Sequence, residues 1–181
     1  SELIYRDPES AERMISDLSD LLRMSFENLE VQEISLKQEL EFLEKYLEIE
    51  LTRFHDRLKV EMHIAPETLD ASVPNMILQP LVENAIKYAV SPQVTGAEIA
   101  IAAQLIGPNL RITVSDTGPG LHSPGSSNRL TGVTFDGGEQ VSTGVGLANI
   151  RDRLAQGYGE EHRFETMEPA EGGFAVLIEI P

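Results

Sequence analysis

Apolar residues recur at steps of three and four through the first part of the chain: Ala11, Met14, Ile15, Leu18, Leu21, Leu22, Phe26 and Leu29. That spacing lays one wide apolar stripe along a helix. Asp7-Pro8 ahead of it supplies an N-cap followed by proline at the first helical position. Such a stripe needs a partner, either the domain behind it or another helix. After a break at Val31-Gln32-Glu33-Ile34, Ser35 and Gln38 take the spacing of a capping box. Leu36, Leu40, Leu43, Leu47, Leu51 and Phe54 then mark a second helix. The acidic residues between them are expected to form its solvated face.

The period changes to two at Leu58. Leu58, Val60, Met62 and Ile64 alternate with Lys59, Glu61 and His63, which is a half-buried strand with His63 on its polar side. Pro66 ends it, and Pro74 is expected to open a helical region centred on Gln79–Tyr88. There Leu81, Val82, Ala85, Ile86 and Ala89 face a core, and Pro80 either kinks the helix or begins its straight part. Two alternating strands follow, Ile99, Ile101, Ala103 and Leu105, then Leu110, Ile112 and Val114, with Gly107-Pro108-Asn109 as hairpin punctuation. From Leu121 to Thr143 the composition shifts to Gly, Ser, Thr and Asn, the mark of a functional or disordered loop. Leu147, Ile150 and Leu154 define a last helix stopped at Gly157 or Gly159. Strands around Arg163–Glu168 and Phe174–Ile180 close the chain. The sum is an α+β two-layer sandwich: a mostly antiparallel sheet of about five strands with helices on one face, preceded by a helix or helical hairpin.

Composition narrows the chemistry. The 181 residues suffice for one core and an appendage. A formal net charge of −16 repels phosphates, which argues against nucleic acid or an acidic membrane as partner. An anionic nucleotide would need local cations or a metal ion to bind. With no cysteine there is neither a disulfide framework nor a thiolate metal site, which fits the cytosol. No apolar run has transmembrane length and residue 1 opens no signal peptide. Ser1-Glu2-Leu3, already close to helical periodicity, reads as a cut inside a longer protein.

Three stretches carry candidate chemistry. On a helix, Asn84, Lys87 and Tyr88 stand at i, i+3 and i+4, so an amide, a compact cation and an aromatic ring share one face. That set suits a metal-bound polyphosphate; a buried helix with a polar face is the other reading. Asp116 ends a strand just before Gly118-Pro119-Gly120, where a carboxylate can accept from an exocyclic amine or simply cap a turn. Gly144-Val145-Gly146-Leu147 opens a helix, where exposed N–H groups and the helix dipole favour phosphate, or where a junction merely needs positive φ. It is neither a Rossmann fingerprint nor a Walker motif.

Asparagine helix, Asp-x-Gly-x-Gly, long loop and Gly-x-Gly-Leu, in that order, resemble the N, G1 and G2 boxes of the Bergerat (GHKL) ATP-binding fold. Asn84-Ala85-Ile86-Lys87-Tyr88 resembles its histidine-kinase version. Tyr46-Leu47-Glu48-Ile49-Glu50, Arg53-Phe54, Arg57-Leu58, Leu78–Ala85 and Gly144–Leu154 are similar to LytS/YehU-type sensor kinases, a resemblance that covers nearly the whole chain. It implies a mixed sheet and a set of roles. Asn84 would ligate Mg²⁺ between the ATP phosphates, Lys87 would pair with a phosphate and Tyr88 would pack near the nucleotide. Asp116 would bind the adenine amine in a pocket shaped by Gly118 and Gly120. Leu121–Thr143 would be the ATP lid, and Thr143, Gly144, Val145, Gly146 and Leu147 would meet the phosphates. Glu83 would polarise the attacking imidazole, although its neighbour Asn84 is expected to point elsewhere, and Arg151 would assist Lys87.

The same resemblance implies transfer of the γ-phosphoryl group to a histidine, relay to a response regulator of the LytTR type, a homodimer and ATP/ADP exchange. It also implies a cytoplasmic domain of a membrane-anchored protein. The family's His-Pro-His-Phe-type acceptor motif is absent, and His55, His63, His122 and His162 stand in other contexts. Residues 1–33 are therefore expected to be the second helix of a dimerisation hairpin whose acceptor helix lies upstream, and 34–181 the catalytic domain. Proline at position 80, where gyrase-type relatives carry a glutamate, argues against efficient hydrolysis, and no phenylalanine-rich box stands out beyond Phe135. The rival readings are an anti-sigma-type serine kinase of the same fold and a non-catalytic module whose nucleotide gates a protein contact.

Overall fold

The structure is a computed structural model and describes residues 31–120, 131–134, 140–142, 145–170 and 172–181. The helix expected over Ala11–Leu29 lies outside the described residues.

Strand β1 (Glu33–Ser35) leads directly into helix α1 (Leu36–Phe54). The capping box forms as the spacing predicts. Ser35 Oγ accepts from the Gln38 amide at 3.3 Å, and Gln38 Oε1 accepts from the Ser35 amide at 3.2 Å. The apolar stripe packs inward, with Leu36 and Leu43 fully buried. The acidic residues do not all form a solvated face, because Glu39 and Glu50 are buried. Glu39 is drawn in by backbone donors from another element, and Glu50 pairs with Arg53 at 3.5 Å. The presumed break at 31–34 is partly strand as well. β1 pairs antiparallel with β3 (Ser72–Pro74), so Pro74 closes a short strand and does not open the next helix.

After a 3₁₀ turn, β2 (Leu58–Ile64) follows with the predicted limits. Helix α2 (Leu78–Ala85) starts two residues before Pro80, which falls within its first turn, where a missing N–H costs nothing. It continues as a wider π turn through Ile86–Val90, with the Ser91 amide donating to Ile86 O at 2.9 Å. β4 (Ala97–Ile106) and β5 (Asn109–Asp116) form a hairpin whose tight turn uses Gly107 at φ 61. Within the expected loop lies a two-stranded ribbon, β6 (Thr131–Thr134) with β7 (Gln140–Ser142). α3 (Val145–Tyr158) runs through Gly157 and stops at Gly159, φ 57, and β8 (Arg163–Met167) and β9 (Phe174–Ile180) complete the fold.

The main sheet has the order β2-β4-β5-β9-β8; β2 and β4 are parallel and the other neighbours antiparallel. It is the mixed, mostly antiparallel sheet expected. Its inward rows are set by register: Ile101 opposes Val114, which opposes Val176, and Ala103, Ile112 and Ile178 form the next row. These residues are buried together with Leu81, Val82, Leu147, Ile150 and Leu154 of the helices. Among the described residues, no helix is long and apolar enough to cross a membrane.

Candidate functional site

Helix α2 and the start of α3 face each other across a cleft of about 300 Å³, lined by Pro80, Glu83, Asn84, Lys87, Tyr88, Gly146 and Leu147. Segments some sixty residues apart in sequence therefore meet. Lys87 is the cation of this lining, and its ammonium lies 4.9 Å from the centroid of the Tyr88 ring. Glu83 lines the same cleft as Asn84, its neighbour about 100° away around the helix. Gln79 Nε2 donates to Glu83 Oε1 at 2.8 Å and holds the carboxylate in place. Burial, with Glu50 and Glu83 close by, pushes the neighbouring Tyr46 phenol up. Arg151 does not line the cleft and lies beside Asp152.

α3 reaches the cleft through its first turn, where helical N–H groups have no intrahelical acceptor. A methyl at Gly146 would touch only Pro80 Cβ, at an ordinary 3.6 Å, so internal packing makes little demand for glycine there. A bare backbone at this point leaves room for a ligand to approach the amides. Thr143 and Gly144 lie outside the described residues, as do Leu121–Leu130, and Val145 is placed as the first residue of α3.

Asp116 is fitted into the fold differently. The alternation of Leu110, Ile112 and Val114 carries on to it, so an acid occupies an inward position, opposite Ile99 and Phe174, and is buried. A carboxylate is costly there unless donors meet it, and Gly118 supplies one N–H to Oδ1 at 2.9 Å. The turn presses against α2: a Cβ at Gly118 would lie 2.5 Å from Ala89 Cβ. Gly120 adopts φ 70 with Glu168 Oε1 2.7 Å from where its Cβ would be. Glu83, Asn84, Lys87, Tyr88, Gly146 and Leu147 thus surround one cleft, whereas Asp116, Gly118 and Gly120 do not line it: Gly118 abuts Ala89 of the π turn, Gly120 abuts Glu168, and Asp116 lines a separate small pocket with Glu98 and Thr117.

Sequence reasoning missed several residues. Gly173 sits at φ 90 with its would-be Cβ 1.8 Å from the Asp116 carbonyl oxygen, so only glycine lets β9 support that turn. Glu39 belongs to the acidic residues expected on a solvated helix face. Glu39 instead accepts from the amides that open α2, and Arg153 donates to Asn75 O just before it. A larger cavity, about 610 Å³, lies at the other end of α3 among Gln32, Glu33, Arg153, Gln156 and Tyr158 and holds none of the expected site residues. Among the described residues no three His, Asp or Glu side chains gather as a metal site. The donors at the cleft, one amide and one carboxylate, suit a hard cation that keeps its waters and phosphate ligands, as magnesium does.

A mixed five-stranded sheet, an asparagine-bearing crossover helix and a helix with Gly146 in its first turn opposite it make an α+β sandwich. Residues 70–181 match the family model described as histidine kinase-, DNA gyrase B-, and HSP90-like ATPase, and residues 1–58 match that of histidine kinase. The chain belongs to this ATPase family. Relatives include the sensor histidine kinase YpdA of Escherichia coli (32% identical over 181 residues) and the sensor protein LytS of Enterococcus faecalis (31% identical). Each match covers 100% of this chain but 30% of the relative, so the chain spans under a third of their length. The catalytic domain of histidine kinase ThkA superposes with a TM-score of 0.57 at 18% identity, covering 82% of this chain and 93% of that one. ThkA in complex with response regulator protein TrrA matches with a TM-score of 0.55 at 18% identity, over 100% of this chain and 51% of that one. Both are likenesses of fold.

Proposed function

We propose that this chain holds MgATP for transfer of its γ-phosphoryl group to a histidine nitrogen, as the catalytic part of a two-component sensor histidine kinase. One observation carries the reading: Asn84 and Lys87 meet the start of α3 across a single cleft, on a helix whose π turn is abutted at Ala89 by the Asp116–Gly118 turn. In this reading Asn84 ligates Mg²⁺, Lys87 pairs with a phosphate and Tyr88 packs near the nucleotide. Thr143, Gly144, Val145, Gly146 and Leu147 form the phosphate wall. Asp116 accepts from the adenine amine in a pocket shaped by Gly118 and Gly120. Glu83, held by Gln79, is the carboxylate placed to polarise an incoming imidazole. The metal and Lys87 offset the repulsion that a charge of −16 imposes on a nucleotide. Catalysis then rests on positioning and charge neutralisation.

The wider assignments follow from the same reading. Residues 1–33 are part of a dimerisation region and 34–181 the catalytic domain. The intact protein is a membrane-anchored homodimer that passes the phosphoryl group to a response regulator of the LytTR type. The acceptor is a histidine outside this chain, because the family's His-Pro-His-Phe-type motif is not found in it.

Calorimetric titration of this chain with ATP, with and without Mg²⁺, tests the reading beside Asp116→Ala. Magnesium-sensitive binding that the variant loses is expected; a wild-type chain that ignores nucleotide would overturn it.

A further inference from the structure

Helix α2 lacks caps of its own. Its N-cap is Ile77, with no side-chain hydrogen bond, and its C-terminal carbonyls emerge from a π turn. Both ends are instead met by side chains from two consecutive preceding elements. Glu39, in the first turn of α1, accepts from the Met76 amide through Oε2 and the Leu78 amide through Oε1, each at 2.8 Å. Arg57, in the 3₁₀ turn that follows α1, donates from Nη2 to the carbonyls of Val90, Ser91 and Gln93 at 3.0, 3.3 and 2.9 Å. The anion is at the N-terminus and the cation at the C-terminus, the signs that the helix dipole favours at each end.

The backbone is strained beside each contact. Among the described residues, Met76 (φ 56) and His55 (φ 51) are the non-glycine residues with positive φ. Met76 is itself held by Glu39, and His55 opens the turn that carries Arg57. Such conformations persist only where surrounding contacts enforce them, and they gather where position matters. The Arg57 guanidinium is directed by the buried Phe54 ring, 5.5 Å from its centroid. The loop after α2 is seated on the same residue, since a Cβ at Gly96 would lie 2.0 Å from Arg57 O.

We propose that Glu39 and Arg57 are positioning residues for the nucleotide site: together they clamp α2 at both ends and set where Asn84, Lys87 and Tyr88 stand. This rests on the reading of the cleft as an ATP site. The two contacts serve different parts of it. Glu39 fixes the end of α2 near Pro80 and Gly146, on the phosphate side; Arg57 fixes the end near Ala89, on which the Asp116–Gly118 turn leans.

The test is calorimetry with Mg·ATP and with adenosine on wild type, Arg57→Met, Arg57→Lys and Glu39→Gln, well below each melting temperature. Wild type must bind Mg·ATP, or the ATP-site reading and this inference fall together. Given that binding, Arg57→Met is expected to weaken both ligands about ten-fold, with Arg57→Lys recovering part of the loss. Glu39→Gln, which keeps the side chain's shape but only one acceptor oxygen, is expected to weaken Mg·ATP about ten-fold and leave adenosine within about two-fold. If folded Arg57→Met and Glu39→Gln bind both ligands as wild type does, the clamp serves stability alone and the inference fails while the ATP site stands. Equal weakening of both ligands by Glu39→Gln would likewise overturn the assignment of Glu39 to the phosphate side.

Discussion

Replacing Gly118 by alanine tests whether the Asp116 turn is braced against the site helix. The new methyl would lie 2.5 Å from Ala89 Cβ, 2.7 Å from Ala89 Cα and 2.8 Å from Asp116 Oδ1. Carbon atoms are comfortable at roughly 3.5–4.0 Å, so the turn must retreat from α2 by about 1 Å. Overpacking of this kind costs about 1–3 kcal/mol, or roughly 2–12 °C in melting temperature for a domain of this size. The same retreat carries the Asp116 carboxylate away from any base it holds. Losing a hydrogen bond to a charged group is worth about 1.5–3 kcal/mol, which is roughly 10- to 100-fold in ATP affinity. The nearest obstacle is a single methyl, so Ala89→Gly should partly rescue Gly118→Ala. Glycine in a helix is itself unfavourable by about 1 kcal/mol, and a double-mutant cycle separates the two effects. Thermal melts and calorimetry on the four proteins supply the cycle, with an expected coupling of about 0.5–3 kcal/mol. A Gly118→Ala chain that melts and binds like wild type, or a cycle with no coupling, would refute the bracing.

Ser35→Ala removes the capping box of α1 and is expected to cost about 1 kcal/mol, read as a lower urea midpoint at unchanged m-value. Ile101→Ala, at a fully buried position in β4, should cost about 2–5 kcal/mol by the same measurement. The pH dependence has a defined sign at Glu179. Hydrogen bonds from Arg111 and Asn109 hold its carboxyl below the ordinary value. Its stabilisation is therefore present above the unfolded carboxyl's roughly 4.3 and fades as pH falls through the lower folded value. Urea titrations between pH 3 and 7 should show wild type and Glu179→Gln converging at the acid end, whereas a constant gap would contradict the linkage.

Local periodicity carried the long elements. The alternations beginning at Leu58 and Phe174 end where the strands end, and Ser35 with Gln38 announces α1 to the residue. Three-residue strands such as β1 and β3 are too short to show a period, so Pro74 read as a helix opener when it ends a strand. Glu39 looks like any acid on a helix until the N–H groups of Met76 and Leu78 are placed against it. Nothing near Gly173 in sequence hints that it must make room for the Asp116 carbonyl, because that contact exists only through the β5–β9 register. The candidate residues stand in short motifs, Asn84–Tyr88 across a helix end and its π turn, Asp116–Gly120 at a strand end and Gly146-Leu147 in a helix's first turn. The residues that hold those motifs in place come from other elements, and local pattern does not record them.

The parallel pairing of β2 with β4 has a consequence for how the molecule opens. Residues 65–96, including α2, form the crossover between those two strands, so the pairing closes a long loop around the site helix. Contacts of such sequence separation form late and are lost together. Amides of α2, β2 and β4 should therefore exchange hydrogen through one shared opening, and a ligand that binds only the closed form slows that opening by mass action. Nucleotide in the cleft would be recorded as protection along β2, an edge strand that it does not touch.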